Sequence, residues 1–188
     1  MKNIVLMLSV VMVTLSVRAQ QIVPLERLNE YRDSDVEIQE GTYFKDVNGL
    51  LNKYIGTWKG IYDKKIYTFT IIKTKRDFLG ISKDKLLVRY LIASPFGPVI
   101  EDTRYLPDDN ALVIEGDYIS RSKGYYVLNY FGKNSVCGQF GVVFISTSAD
   151  NKQLKLFLSP DKDIIDGAKC SKVADQILPT KSMFLTKQ

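Results

Sequence analysis

From Gly56 onward the chain never runs long without a turn, and this rhythm limits the folds open to it. Thr57–Tyr62 reads as a strand and Asp63-Lys64-Lys65 as a turn. Ile66–Thr74 alternates, with Tyr67, Phe69 and Ile71 on one face and Thr68 and Thr70 on the other, the period of a half-buried strand. Leu86–Ala93 follows and is stopped by "SPFGP". Further strands are expected at Val99–Tyr105, Leu112–Ile119, Tyr125–Phe131, Cys137–Thr147, Leu154–Leu158 and Ser182–Thr186, separated by "LPDDNA", "SRSKG", "GKNS" and "SADNK". About eight or nine strands at short spacing, with no long helix between them, predict an all-β antiparallel up-and-down barrel rather than a parallel α/β sheet. Leu86–Ile92 and Phe140–Ile145 are apolar on both faces, so either something covers their outer side or they are central in a packed barrel.

The segment before Gly56 divides in three. Residues 1–19 open with Lys2, continue as an apolar run from Ile4 to Val17 and end in Val17-Arg18-Ala19. This is the pattern of a secretory signal peptide, too short for a comfortable membrane span. No cysteine follows the junction, which argues against a lipid anchor, and the Ala-Gln-Gln junction has a bacterial look. The expected location is therefore exported, periplasmic or secreted, with no stable membrane span after cleavage. Residues 20–41 are polar and aperiodic and read as an N-terminal arm or linker lying over a domain at 42–188. Within that domain Phe44, Val47, Leu51 and Tyr54 recur at three- to four-residue spacing, which predicts a short helix over Thr42–Ile55 ended by Gly56.

The 188 residues suffice for one domain with a real core, and 45% hydrophobic with 25% charged residues is ordinary for a globular chain. The formal net charge is +5 at pH 7 and falls by two without Lys2 and Arg18. The remaining cations are mixed with acids, and the densest run, Lys73-Thr74-Lys75-Arg76, is too small for a nucleic-acid surface. It reads as solvated turn residues. In an oxidising compartment Cys137 and Cys170 are expected to form a disulfide. It would close a loop of about 33 residues, a constraint of about 3–4 kcal/mol. Two buried thiols or a redox pair are the alternatives, though no CxxC is present.

Chemistry is thinly represented. The chain contains no histidine, which removes Ser-His-Asp and Cys-His catalysis, His-ligated zinc and the usual general base near neutral pH. Glu101-Asp102 are strand neighbours and diverge, while Asp108-Asp109 beside Pro107 suit a turn. Glu115 and Asp117, two apart, share a face and could hold calcium or act as paired carboxylates, or simply line a solvated edge. The glycines of "GKNSVCGQFG" lack phosphate-loop spacing. No cofactor or metal is expected, and an enzyme is the least favoured class. Arg89 shares a strand face with Leu87 and Leu91. If that face points inward, Arg89 could hold a ligand carboxylate with Tyr126 and Tyr130 assisting; if outward, it is merely solvated.

The only tryptophan, Trp58, stands in Gly56-Thr57-Trp58 at the start of the first strand. A short helix followed by Gly-x-Trp on the first strand of an up-and-down barrel resembles the lipocalins and fatty-acid-binding proteins. The stretch "YFKDVNGLLNKYIGTWKG" also resembles small exported bacterial proteins of unknown function, a likeness that spans most of the chain after the leader, with both cysteines and the Lys-Gln ending. The barrel resemblance implies that Trp58 plugs one end, that Gly56 lets the preceding segment pack close, and that a basic side chain of the last strand lies across the indole. This chain departs from the pattern in offering Lys181 and Lys187 there rather than an arginine. The same resemblance implies an exported, non-catalytic, lipocalin-like carrier of a small apolar ligand. A barrel filled by its own Phe and Tyr side chains, serving an envelope protein partner, is the alternative.

Overall fold

The computed structural model describes residues 20–120, 124–161 and 165–188. The expected signal peptide at 1–19 lies outside the described residues. The strands are β1 (Gln21–Pro24), β2 (Thr42–Lys45), β3 (Gly56–Tyr62), β4 (Lys65–Phe78), β5 (Ile81–Ala93), β6 (Val99–Asp102), β7 (Ile114–Ile119), β8 (Tyr126–Phe131), β9 (Phe140–Thr147), β10 (Gln153–Pro160) and β11 (Met183–Lys187). One short helix, α1 (Leu28–Arg32), follows a 3-10 turn at Leu25–Arg27.

Eight of the strands form a closed antiparallel barrel in the order β5-β4-β3-β11-β10-β9-β8-β7, and Leu87 opposite Glu115 and Val88 opposite Ile114 complete the ring. The expected all-β barrel is therefore present. β5 supplies one edge to three partners in turn: β2 at Ser82 and Lys83, β7 at Leu87 and Val88, and β6 at Leu91–Ala93. β1 extends the sheet beyond β2, and both of these pairings are parallel. Alternation sets which side chains fill the barrel. Tyr67, Phe69 and Ile71 of β4 point inward, as do Leu86, Val88, Tyr90 and Ile92 of β5, the period-2 consequence of the pleat.

One local expectation fails. No helix forms over Thr42–Ile55: β2 occupies its start, and a 3-10 turn at Asn52–Tyr54 its end. The buried Asp46 carboxylate explains this, because it accepts the backbone N–H groups of Leu50 (2.6 Å) and Leu51 (3.1 Å) and the Lys73 ammonium (3.3 Å). An aspartate that satisfies backbone donors in this way favours a turn over a continuing helix. The apolar spacing that suggested a helix instead serves separate ends of a strand–turn unit.

Cys137 and Cys170 are disulfide-bonded, with their Cα atoms 5.5 Å apart. The bridge ties down the segment that closes one end of the barrel. Ala174 N–H donates to the Cys137 carbonyl, Gln139 Nε2 to that of Asp175 and Gln176 Nε2 to that of Gly138. Tyr67 then reaches across to the Ile177 carbonyl (3.1 Å), and Leu178 is buried beneath. The other end is closed by the 3-10 turn at Asn52–Tyr54 and by Trp58.

Candidate functional site

Trp58 has no solvent-accessible surface. Its indole N–H donates to the Tyr54 carbonyl at 2.7 Å, so the one polar atom of the ring is satisfied inside the core. Lys187, directly opposite Trp58 in the β11–β3 pairing, places its ammonium 5.1 Å from the ring centroid. Gly56, at φ +128°, lies under that lysine, and a Cβ there would come within 3.1 Å of Lys187 Cε. The glycine thus serves the lysine's passage as well as the turn into β3.

The residues expected to share a ligand pocket are split by the sheet. Tyr126 and Tyr130 face the interior and are fully buried. Arg89 faces outward, with its guanidinium donating to the Leu106 carbonyl (3.0 Å) and to the Asp108 carboxylate (2.5 Å). Arg89 therefore anchors the loop before β7. Tyr126 lies across Gly116, where a side chain would collide with its hydroxyl, and accepts the Leu86 N–H. Tyr130 brings its buried hydroxyl beside that of Tyr90.

The interior is aromatic with one polar corner. Tyr90 donates to Glu101 at 2.6 Å, and the other oxygen of Glu101 lies 3.3 Å from the Lys133 ammonium. Burial, and then the Glu101 hydrogen bond, push the Tyr90 hydroxyl far above its ordinary range. Burial does the same to Tyr126 and Tyr130, and pushes Tyr54 and Tyr67 up to about 12. These hydroxyls are neutral packing groups, neither nucleophiles nor bases near neutral pH.

Glu115 and Asp117 sit on the outer face, each against a lysine of β5: Lys85 at 2.7 Å and Lys83 at 3.3 Å. Arg32 of α1 also reaches Asp117, at 3.4 Å. The two acids form a laced ion-pair row instead of an open carboxylate pair, and among the described residues no three acids or cysteines converge as metal ligands would. This row borders an apolar cleft that the sequence did not announce. Its volume is about 230 Å³, with Leu28, Ile38, Phe44, Phe78 and Ile81 as walls and Arg76, Lys83 and Lys85 along one side. Burial and the neighbouring Lys85 push Lys83 below its ordinary range, against the pull of Asp117. The only signal in the sequence was "DFLGIS", an apolar run set between charges, which reads as a turn.

Among the described residues no helix is long and apolar enough to cross a membrane. No curated protein and no solved structure matches the chain. A family model does match, over residues 1–110, more than half of the sequence. The chain belongs to the family of unknown function DUF6705.

Proposed function

We propose that this is an exported, non-catalytic binding module whose barrel is a solid scaffold and whose outer surface makes the functional contacts. In this reading residues 1–19 are a leader, 20–41 an arm and 42–188 the barrel. One observation carries it. Trp58, Phe69, Leu86, Tyr90, Tyr126, Leu128, Tyr130 and Leu154 each have 0% exposure. A void able to hold one water would expose the atoms lining it, so no such void borders these side chains. The lid at 174–180 and the Trp58–Tyr54 corner add a closure at each end. The disulfide suits an oxidising compartment, and the lipocalin-like Gly-x-Trp corner supplies architecture without a hollow centre. An envelope protein is the partner class proposed for the outer surface.

The sole tryptophan makes the test direct. Titration of the full chain with an apolar ligand that neither absorbs nor fluoresces in the indole emission range, read through Trp58 emission, should leave the indole spectrum unchanged whether or not the ligand binds. A saturable shift or quenching of Trp58 would mean that the ligand enters the barrel, and the solid-scaffold reading would be abandoned.

A further inference from the structure

We infer that the cleft between the arm and the β4–β5 hairpin binds a single-chain amphiphilic anion, a short acyl carboxylate. The inference rests on the solid-scaffold reading and gives the outer surface a small-molecule ligand.

The cleft has two chemically distinct sides. Leu28 of α1, Ile38 and Phe44 come from the N-terminal segment, and Phe78 and Ile81 from the hairpin, where they are cross-strand partners. Together they form an apolar floor and walls. Phe78 is 75% exposed, so one wall is already paid for in solvent contact that a ligand would remove. Along the other side stand Arg76 and Lys83, themselves cross-strand partners, and Lys85.

The charges on that side do not balance. Lys85 pairs with Glu115, and Lys83 with Asp117, which Arg32 shares. Arg76 donates to the Asp108 backbone carbonyl, and among the described residues it meets no carboxylate. Three cations therefore face two carboxylates, and the unmatched one is a guanidinium, the group best shaped to grip a carboxylate with two parallel hydrogen bonds. The volume is below the about 300–1,000 Å³ usual for drug-sized ligands. That favours one short chain over a two-chain lipid. A neutral apolar molecule would fill the walls and leave Arg76 unanswered. A small inorganic anion would answer Arg76 and leave the walls wet.

The test uses the full chain and decanoate, kept below micelle-forming concentration, with decanol as the uncharged control. Calorimetry should show saturable one-site decanoate binding, at least tenfold weaker for decanol. Arg76→Gln and Phe78→Ser, both at accessible positions, should each weaken decanoate at least tenfold while circular dichroism and the melting profile stay unchanged. Trp58 emission should not move. No saturable binding, equal affinity for decanol, or affinity unchanged in both variants would overturn the inference, and with Trp58 silent the solid-scaffold reading would survive. Decanoate binding that shifts Trp58 and ignores both substitutions would overturn the two together.

Discussion

β4 has two halves that live under different rules. Residues 65–71 lie between β3 and β5, and their inward side chains Tyr67, Phe69 and Ile71 are buried. Residues 72–78 pair with β5 alone, beyond the start of β3, and are mostly exposed. A two-residue turn sits at each end, with both residues at positive φ: Asp63 (45°) and Lys64 (57°) at the barrel rim, Leu79 (47°) and Gly80 (77°) at the projecting tip. Such turns favour Asn, Asp and Gly. The rim turn begins with the expected aspartate. The tip begins with a leucine that is 80% exposed, in a conformation that disfavours it. The same backbone solution thus serves opposite chemistry, and only the projecting half places apolar surface in water.

The contrast can be broken first at the barrel. Trp58→Ala should cost about 3–5 kcal/mol in denaturant unfolding, because it opens a cavity in a sealed core and orphans the Tyr54 carbonyl. A loss below about 1 kcal/mol would mean that the barrel half is no better packed than the tip. Replacing Cys137 and Cys170 by serine should cost about 3–4 kcal/mol and loosen the lid at 174–180 before the hairpin, a sequence that hydrogen exchange would resolve.

Alkali gives a graded version of the same comparison. Tyr54 and Tyr67 titrate at about 12 in the fold, against about 10 in the unfolded chain. Their stabilising effect is complete below pH 10 and is lost as pH rises toward 12, because only the unfolded chain gives up the protons in that window. Each tyrosine contributes a slope of about 1.4 kcal/mol per pH unit there. A flat stability profile between pH 10 and 12 would contradict the sealed interior.

The smallest effect belongs to the tip. Leu79→Asn should raise stability by about 1 kcal/mol, since asparagine tolerates the left-handed conformation better than leucine. The matched change at the rim, Asp63→Asn, should be nearly silent. If Leu79→Asn destabilises, the leucine is held by packing and the two halves are more alike than their exposure implies.

The barrel half was legible in the sequence for the same reason that it is stable. Burial on one side forces alternation, and Tyr67-Thr68-Phe69-Thr70-Ile71 displays it. The projecting half was not legible. Strands expected to end at Thr74 and to begin at Leu86 run to Phe78 and from Ile81. Outside the ring no face is uniformly dry, so charge appears at four of the five positions of "KTKRD" and the pattern imitates a loop. The Trp58 corner was readable from Gly56-Thr57-Trp58, and Lys187 occupies the place expected for a basic side chain. The orientation of Arg89 was not readable, because its strand is apolar on both faces and parity alone does not say which is inside. The cleft escaped because it joins side chains from distant stretches, Leu28, Phe44 and Phe78 among them, whose meeting depends on a parallel pairing that no local signal encodes.

The pairing of Trp58 with Lys187 has a consequence for how the molecule assembles. The two residues are far apart along the chain yet adjacent across the join of the ring. β3 can find its second neighbour only after nearly the whole domain has formed, a non-local contact of the kind that slows folding. A chain cut anywhere between them would not be most of a barrel. It would be a curved sheet with two raw edges, ready to zip onto another copy of itself.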